Sequence, residues 1–208
     1  VSGSATYGIN LRARAAFTDD SSDVSVVGSG NDAMPYPIYV EAGAVHSLPS
    51  PLQLSGNTLD EVLIHPFSPV FEDTFPARGV PLRLDGALYL QDAAANTGVA
   101  TLTLEPGVDL RFDGGSSGVY VGVDANRTGR IVAPGTQTAP FTLRSAQEPA
   151  AAGDWLGLYY RYPAAAGQVL SYVTIADAGG ESGAQARQRA LRPGDGLELQ
   201  ARHRRPDR

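Results

Sequence analysis

The aromatic cluster that begins at Trp155 contains the side chains best suited to ligand binding. Trp155 is the only tryptophan, and Tyr159, Tyr160 and Tyr162 follow it closely. Period-two alternation places Tyr160 on the inward face of a strand and Tyr159 and Arg161 on the outward face. Exposed aromatic rings on a flat sheet can stack on sugar faces. We therefore predict core packing for Trp155 and Tyr160, and a carbohydrate-binding surface at Tyr159, Arg161 and Tyr162; Tyr159 and Tyr162 are also compatible with packing.

Charged residues suggest a second kind of chemistry, the cleavage of polysaccharides. Hydrolases use paired carboxylates, and separations of about 6 to 9 Å in one groove would favour such an enzyme. The outward candidates are Arg111, Arg130, Arg144, Arg161, Asp109 and Asp124. An exposed aspartate in a turn needs no catalytic role, whereas catalysis requires convergent titratable groups in a pocket. We therefore predict no catalytic residues.

Metal binding has little support in the sequence. His46, His65 and His203 are isolated, and none has a second histidine or carboxylate at metal-ligand spacing. We predict that each is a loop residue. The carboxylates between Thr18 and Asp23 are suitable calcium ligands, but their irregular spacing favours a solvated turn. No metal or other cofactor is expected.

The elements that would position these side chains are short β-strands. Between residues 101 and 121, three runs alternate apolar and polar residues, and turns at Pro106-Gly107 and residues 114–118 separate them. Strands this short must stack on similar strands to bury a face. Strands with a similar pattern recur after 21 or 22 residues, for example from Leu110 to Ile131. This recurrence favours a repeated stack of strands. The predicted core is Leu102, Leu104, Leu110, Phe112, Val119, Val121, Ile131, Phe141, Leu143, Leu158 and Ile175.

Composition supports many short elements and excludes several partners. The 208 residues include 24 glycines and 15 prolines, and the combined share of these two residues is above the average for proteins. A net charge of -6 argues against a nucleic-acid partner. Cysteine is absent, so disulfides and thiolate metal sites are not available. No apolar run is long enough for a membrane-spanning helix.

Short motifs follow one another between residues 76 and 180: Gly79-Val80-Pro81, residues 102–108, Ala133-Pro134-Gly135-Thr136, residues 140–143, residues 153–158 and Tyr172-Val173-Thr174-Ile175. Through these motifs, residues 76–180 resemble the opening turns of a bacterial right-handed parallel β-helix family with a pectate-lyase-like fold. Residues 1–70 resemble the closing turns of such a unit. The resemblance implies secreted or surface-anchored bacterial proteins and supplies no catalytic residue.

The expected fold is therefore an all-β, right-handed, single-stranded parallel β-helix, with an antiparallel β-sandwich as the alternative. We predict closing turns of one unit over residues 1–70 and opening turns of the next over 71–183. The boundary is the proline-rich stretch at 65–79. The arginine-rich residues 184–208 are expected to form a loosely ordered tail. A basic interaction tail and a change of reading frame are the alternatives.

The expected function is a non-enzymatic secreted or cell-surface module for adhesion or structural display. Its expected partners are polysaccharide or another surface protein. Self-association through open sheet edges is expected if an end of the stack is bare. A polysaccharide lyase or hydrolase, or a carbohydrate-binding module on the same fold, is the alternative.

Overall fold

The computed structural model describes residues 1–13, 15–66, 72–91, 98–122, 127–162 and 165–180. These residues form sixteen β-strands and one short 3₁₀ turn, Val45–Ser47. The strands are β1 Ile9–Leu11, β2 Val24–Val27, β3 Ile38–Glu41, β4 Leu52–Ser55, β5 Val62–His65, β6 Glu72–Phe75, β7 Leu82–Leu84, β8 Ala87–Leu90, β9 Ala100–Leu104, β10 Asp109–Phe112, β11 Gly118–Val121, β12 Gly129–Pro134, β13 Phe141–Ser145, β14 Leu158–Tyr160, β15 Val169–Ser171 and β16 Val173–Ile175. The all-β prediction is confirmed.

Strand pairing in the described part of the chain is parallel throughout. A long sheet has the order β1-β3-β5-β7-β10-β13-β16, and smaller sheets have the orders β14-β11-β8, β15-β12-β9-β6 and β2-β4. From β7 onward, three consecutive strands enter three different sheets before the order repeats. Parallel neighbours cannot be joined by a hairpin, so the antiparallel sandwich alternative is wrong.

The long sheet aligns equivalent residues in columns. One inward column contains Ile9, Ile38, Val62, Leu82, Leu110, Leu143 and Ile175. Its members from Ile38 to Leu143 are at most 2% exposed. Because side chains alternate between the two faces of a strand, the neighbouring outward column carries different residues: Asn10, Tyr39, Leu63, Arg83, Arg111 and Arg144.

The predicted spacing between equivalent strands is wrong. Leu110 pairs with Leu82 and Leu143 in the long sheet, whereas Ile131 pairs with Leu102 in another sheet. The register partners Thr101 and Arg130 are 29 residues apart. The predicted interval of 21 residues connects Leu110 on the long sheet with Ile131 on a different sheet. It arises because the strands of the three larger sheets all have the same alternating pattern.

The predicted core is confirmed for most of its members. Residues from Leu102 to Leu143 in that set are buried, and they belong to one apolar cluster that extends back to Val26. Leu158 is only partly buried, and Ile175 is 47% exposed. These two residues lie on β14 and β16, which are the last strands of their sheets. Burial there is incomplete because no described strand pairs with their outer edges.

The predicted boundary between two units lies beside a continuous part of the long sheet. β5, before the proline-rich stretch, pairs in register with β7, after it, and Val62 lies opposite Leu82. The division into residues 1–70 and 71–183 stays a prediction about sequence units. The predicted tail at 184–208 lies outside the described residues, as does His203.

Candidate functional site

Three arginines in register form the centre of a highly charged surface. Arg83 on β7, Arg111 on β10 and Arg144 on β13 are register partners on the outward face of the long sheet. The pleat places them there because the flanking residues of each strand are buried. Like charges on neighbouring strands repel, so this column requires carboxylates between its members.

Three carboxylates meet that requirement. Glu61 accepts a hydrogen bond from Nε of Arg83 at 2.6 Å and another from Arg111. Asp109 accepts from Nε of Arg111 at 3.0 Å and from Nε and Nη2 of Arg144 at 3.1 and 3.0 Å. Asp113 lies 3.3 Å from Nη1 of Arg83. The six side chains therefore form a chain of alternating charges, which we call the ion-pair row: Asp113, Arg83, Glu61, Arg111, Asp109 and Arg144.

Three members of the ion-pair row, Asp109, Arg83 and Arg144, are held in their charged states. Burial opposes ionisation of Asp109, but hydrogen bonds from Arg144 and the charge of Arg111 outweigh it and lower the pKa of that carboxyl. Burial likewise opposes the charge on Arg83, and Glu61 outweighs it and raises the pKa of Arg83. The hydrogen bond to Asp109 raises the pKa of Arg144. General acid–base catalysis needs a group whose pKa is near the working pH. The lowered pKa of Asp109 and the raised pKa values of Arg83 and Arg144 are all shifted away from neutral pH.

A cleft of about 280 Å³ lies over the ion-pair row, lined by Glu61, Arg83, Arg111, Arg144 and Gln147 among others. On one side Tyr36 packs beneath Arg83, with the guanidinium carbon 5.5 Å from the ring centroid. Burial raises the pKa of Tyr36 to about 12. The cleft therefore presents three arginines and two glutamates, and the neutral phenol of Tyr36 packs against one of the arginines.

The charged residues that were predicted to face outward are only partly brought together. Asp109, Arg111 and Arg144 meet in the ion-pair row. Arg130 lies on β12 in another sheet, where its Nε donates to Oγ1 of Thr101 at 3.0 Å. Arg161 follows β14, and its backbone N–H donates to the carbonyl of Val121. Asp124 lies outside the described residues.

The predicted carbohydrate surface includes one end of a row of stacked tyrosines. Tyr89, Tyr120 and Tyr159 are register partners on β8, β11 and β14. The centroids of Tyr89 and Tyr120 are 4.9 Å apart with planes 10° apart, and those of Tyr120 and Tyr159 are 5.3 Å apart with planes 30° apart. Tyr159 thus turns one ring face towards Tyr120. Arg161 and Tyr162 are exposed beyond the strand, and sugar binding at Tyr159, Arg161 and Tyr162 stays a prediction.

The two core predictions in the aromatic cluster have different outcomes. Trp155 is fully buried, stacks on Phe112 at 3.8 Å and donates a hydrogen bond from Nε1 to the carbonyl of Ala176 at 2.7 Å. Its core prediction is confirmed. Tyr160 is the register partner of the buried Val121 on β11, but it is 42% exposed. The prediction for Tyr160 is wrong because β14 is an edge strand.

Sequence reasoning missed two histidine–aspartate pairs. Nδ1 of His46 lies 3.0 Å from Asp73, and Nδ1 of His65 lies 2.9 Å from Asp85. His65 is on β5 and not in a loop, so that prediction is wrong for it. His46 lies in the 3₁₀ turn. Sequence spacing could not reveal either pair, because the partners are 27 and 20 residues apart on separate elements.

No family model matches this chain, and neither the curated proteins nor the solved structures include a significant match to it. Within the described ranges, no helix has the length and apolar character needed to cross a membrane. The same part of the chain has no group of three or more His, Cys, Asp or Glu side chains that could hold a metal ion.

Proposed function

We propose that this protein is a non-enzymatic, secreted or cell-surface module that displays a long rigid face for adhesion or structural spacing. The proposed scaffold is a right-handed parallel β-helix of a bacterial repeat family. Three consecutive strands that enter three parallel sheets support it, and crossovers between parallel strands are right-handed in about 98% of cases. The sequence resemblance over residues 76–180 supports the same scaffold.

The observation that carries this proposal is the ion-pair row on the long sheet. The side chain of Glu61 is 5% exposed and that of Arg83 is 11% exposed, so the centre of the row is set into the surface, whereas its ends at Asp113 and Arg144 are more exposed. A buried ion pair held by several hydrogen bonds fixes the geometry of its strands more than it supplies reactive groups. The outward face of β7, β10 and β13 is therefore suited to rigid display.

A polysaccharide-active enzyme is the second candidate, because Asp109, Arg111 and Arg144 meet in the ion-pair row and the two arginines line one cleft. The lowered pKa of Asp109 disfavours it as a general acid, and the raised pKa of Arg144 disfavours that side chain as a base. A carbohydrate-binding module at Tyr159, Arg161 and Tyr162 is a related candidate that needs no reactive group.

A glycan array combined with a uronate-release assay on the whole chain tests the proposal. Adhesion through polysaccharide predicts binding without product release. Release of unsaturated or reducing products, abolished by Arg111→Met, would establish the enzyme and contradict the display module. Binding lost in Tyr159→Ala and Tyr162→Ala, but kept in Tyr89→Ala, would place the ligand on the predicted carbohydrate surface.

A further inference from the structure

A second cleft, of about 330 Å³, lies on the loop side of the N-terminal strands. Its walls come from the β1–β2 loop, the loop after β3, and the chain beyond β6. The residues used below are Phe17, Asp19, Ser21, Ser22, His46 and Arg78. The backbone N–H of Phe17 donates to Oγ of Ser47 at 3.1 Å, and Nε of Arg78 donates to the carbonyl of Leu48 at 2.8 Å. These bonds join the three walls.

The buried carboxylate of Asp73 fixes the side chain of His46, which lines this cleft. Asp73 lies on β6 at the register position of the core residue Leu102, and its side chain is fully buried. It accepts backbone hydrogen bonds from Gly43 at 2.8 Å and from His46 at 3.2 Å. Its Oδ1 also lies 3.0 Å from Nδ1 of His46. Asp73 therefore holds both the backbone of the turn and the ring of His46 from the protein interior.

This contact determines what His46 offers to a ligand. A carboxylate accepts hydrogen bonds, so Nδ1 of His46 carries the hydrogen, and in the neutral ring Nε2 is then an acceptor. The side chain of His46 is 52% exposed and lines the cleft. His46 thus presents an oriented polar atom at an accessible position, while its partner remains inside the protein.

The charges of the cleft restrict the class of ligand. The cation of Arg78 is paired with Glu105 at 3.4 Å, and Asp19 adds a negative charge, so an anionic ligand is disfavoured. The described residues form no group of three metal-ligating side chains, so the cleft does not fit a metal ion. What remains is a carboxylate, the His46 ring and the hydroxyls of Ser21 and Ser22 beside the apolar side chain of Phe17.

We infer that this cleft binds a single neutral sugar ring. A pyranose has an apolar C–H face and a rim of hydroxyls that donate and accept hydrogen bonds. Phe17 matches the first feature, and Asp19, His46 and the serine hydroxyls match the second. The volume is at the lower end of small-ligand pockets, which suits one ring. The inference rests on the proposed surface function and names a ligand class and a site for it.

The experiment uses the whole chain and a panel of methyl α- and β-pyranosides of glucose, galactose and mannose, observed by saturation-transfer NMR and titration. At least one glycoside should bind. Asp19→Ala and His46→Gln should each weaken its binding by about tenfold, the usual effect of one lost hydrogen bond to a charged or oriented group.

Matched control variants are available in the chain. Asp20→Ala removes the neighbouring carboxylate, which does not line the cleft, and His65→Gln removes the histidine of the other pair. Both should keep binding within about twofold of the wild type. Thermal unfolding of each variant identifies any that loses its fold.

Two results would overturn the inference. One is that no pyranoside in the panel binds. The other is that Asp19→Ala and His46→Gln bind as the wild type does, including the case in which binding is lost in Tyr159→Ala instead. The proposed display function would survive both results, because it fails only if the glycan and uronate assays show product release.

Discussion

The guanidinium of Arg144 donates two hydrogen bonds to the carboxylate of Asp109, from Nε at 3.1 Å and from Nη2 at 3.0 Å. The two residues are on neighbouring strands of the long sheet and are 35 positions apart in the chain. This bidentate pair ends the ion-pair row on the β13 side. Its geometry adds a side-chain constraint on register to the backbone ladder that already pairs β10 with β13.

The pair predicts how stability depends on acid. The pKa of Asp109 lies below its ordinary value of 3.8 in the folded protein, so the unfolded chain binds more protons on this carboxyl. The stabilising contribution is present above about pH 4 and is lost as pH falls through the folded-state pKa. Asp109→Asn should lower the unfolding midpoint at neutral pH and flatten its acid dependence.

Urea unfolding between pH 2.5 and pH 7 measures this effect. Thr142→Ser changes the register partner of Asp109 on β13 and keeps the ion pair, so it should follow the wild type. An acid slope in Asp109→Asn equal to that of the wild type would show that the pair makes no pH-dependent contribution.

The stack of Trp155 on Phe112 predicts a large loss of stability on truncation. Trp155→Ala removes a fully buried ring and should cost about 3 to 5 kcal/mol. Trp155→Phe keeps most of the packing but leaves the Ala176 carbonyl without the indole donor, at a cost of about 1 to 3 kcal/mol. Urea unfolding measures both values. Tyr162→Phe, at an exposed position, should change stability by less than about 0.5 kcal/mol.

The inward column of the long sheet predicts a difference between two equivalent positions. Leu143 is 2% exposed and Ile175, its register partner, is 47% exposed. Leu143→Ala should therefore cost about 2 to 5 kcal/mol, and Ile175→Ala should cost less than half as much, since much of its side chain is already in water. Equal costs in chemical denaturation would mean that Ile175 is covered in solution.

The row of tyrosines predicts a ranking. Tyr120 contacts both neighbouring rings, whereas Tyr89 contacts only Tyr120 among the ring pairs of the described residues. Each aromatic pair contributes about 0.5 to 1.5 kcal/mol beyond area burial. Tyr120→Leu should therefore destabilise the protein more than Tyr89→Leu, and the double variant should cost less than the two single changes together. Additive costs in a double-mutant cycle would indicate that the rings do not interact.

Local alternation in the sequence was sufficient to predict the β-strands and most of their inward residues. Leu102, Leu110 and Phe141 are buried as expected, because period-two spacing depends only on the backbone of one strand. The same pattern could not say which strands are neighbours. The strands of all three larger sheets alternate alike, so the pattern by itself matches Ile131 with Leu110, whereas in the structure Ile131 pairs with Leu102.

Tertiary structure alone decided the two clefts. Glu61 reaches Arg111 across 50 residues, and His46 reaches Asp73 across 27. Each contact depends on how the chain between two parallel strands brings distant residues together. The alternation of residues within a single strand carries no information about this. The sequence by itself determined an all-β chain with alternating inward and outward faces. Only the stacking of its strands decided that Glu61 lies between Arg83 and Arg111 and that a buried Asp73 orients His46, because register is set by packing between distant segments.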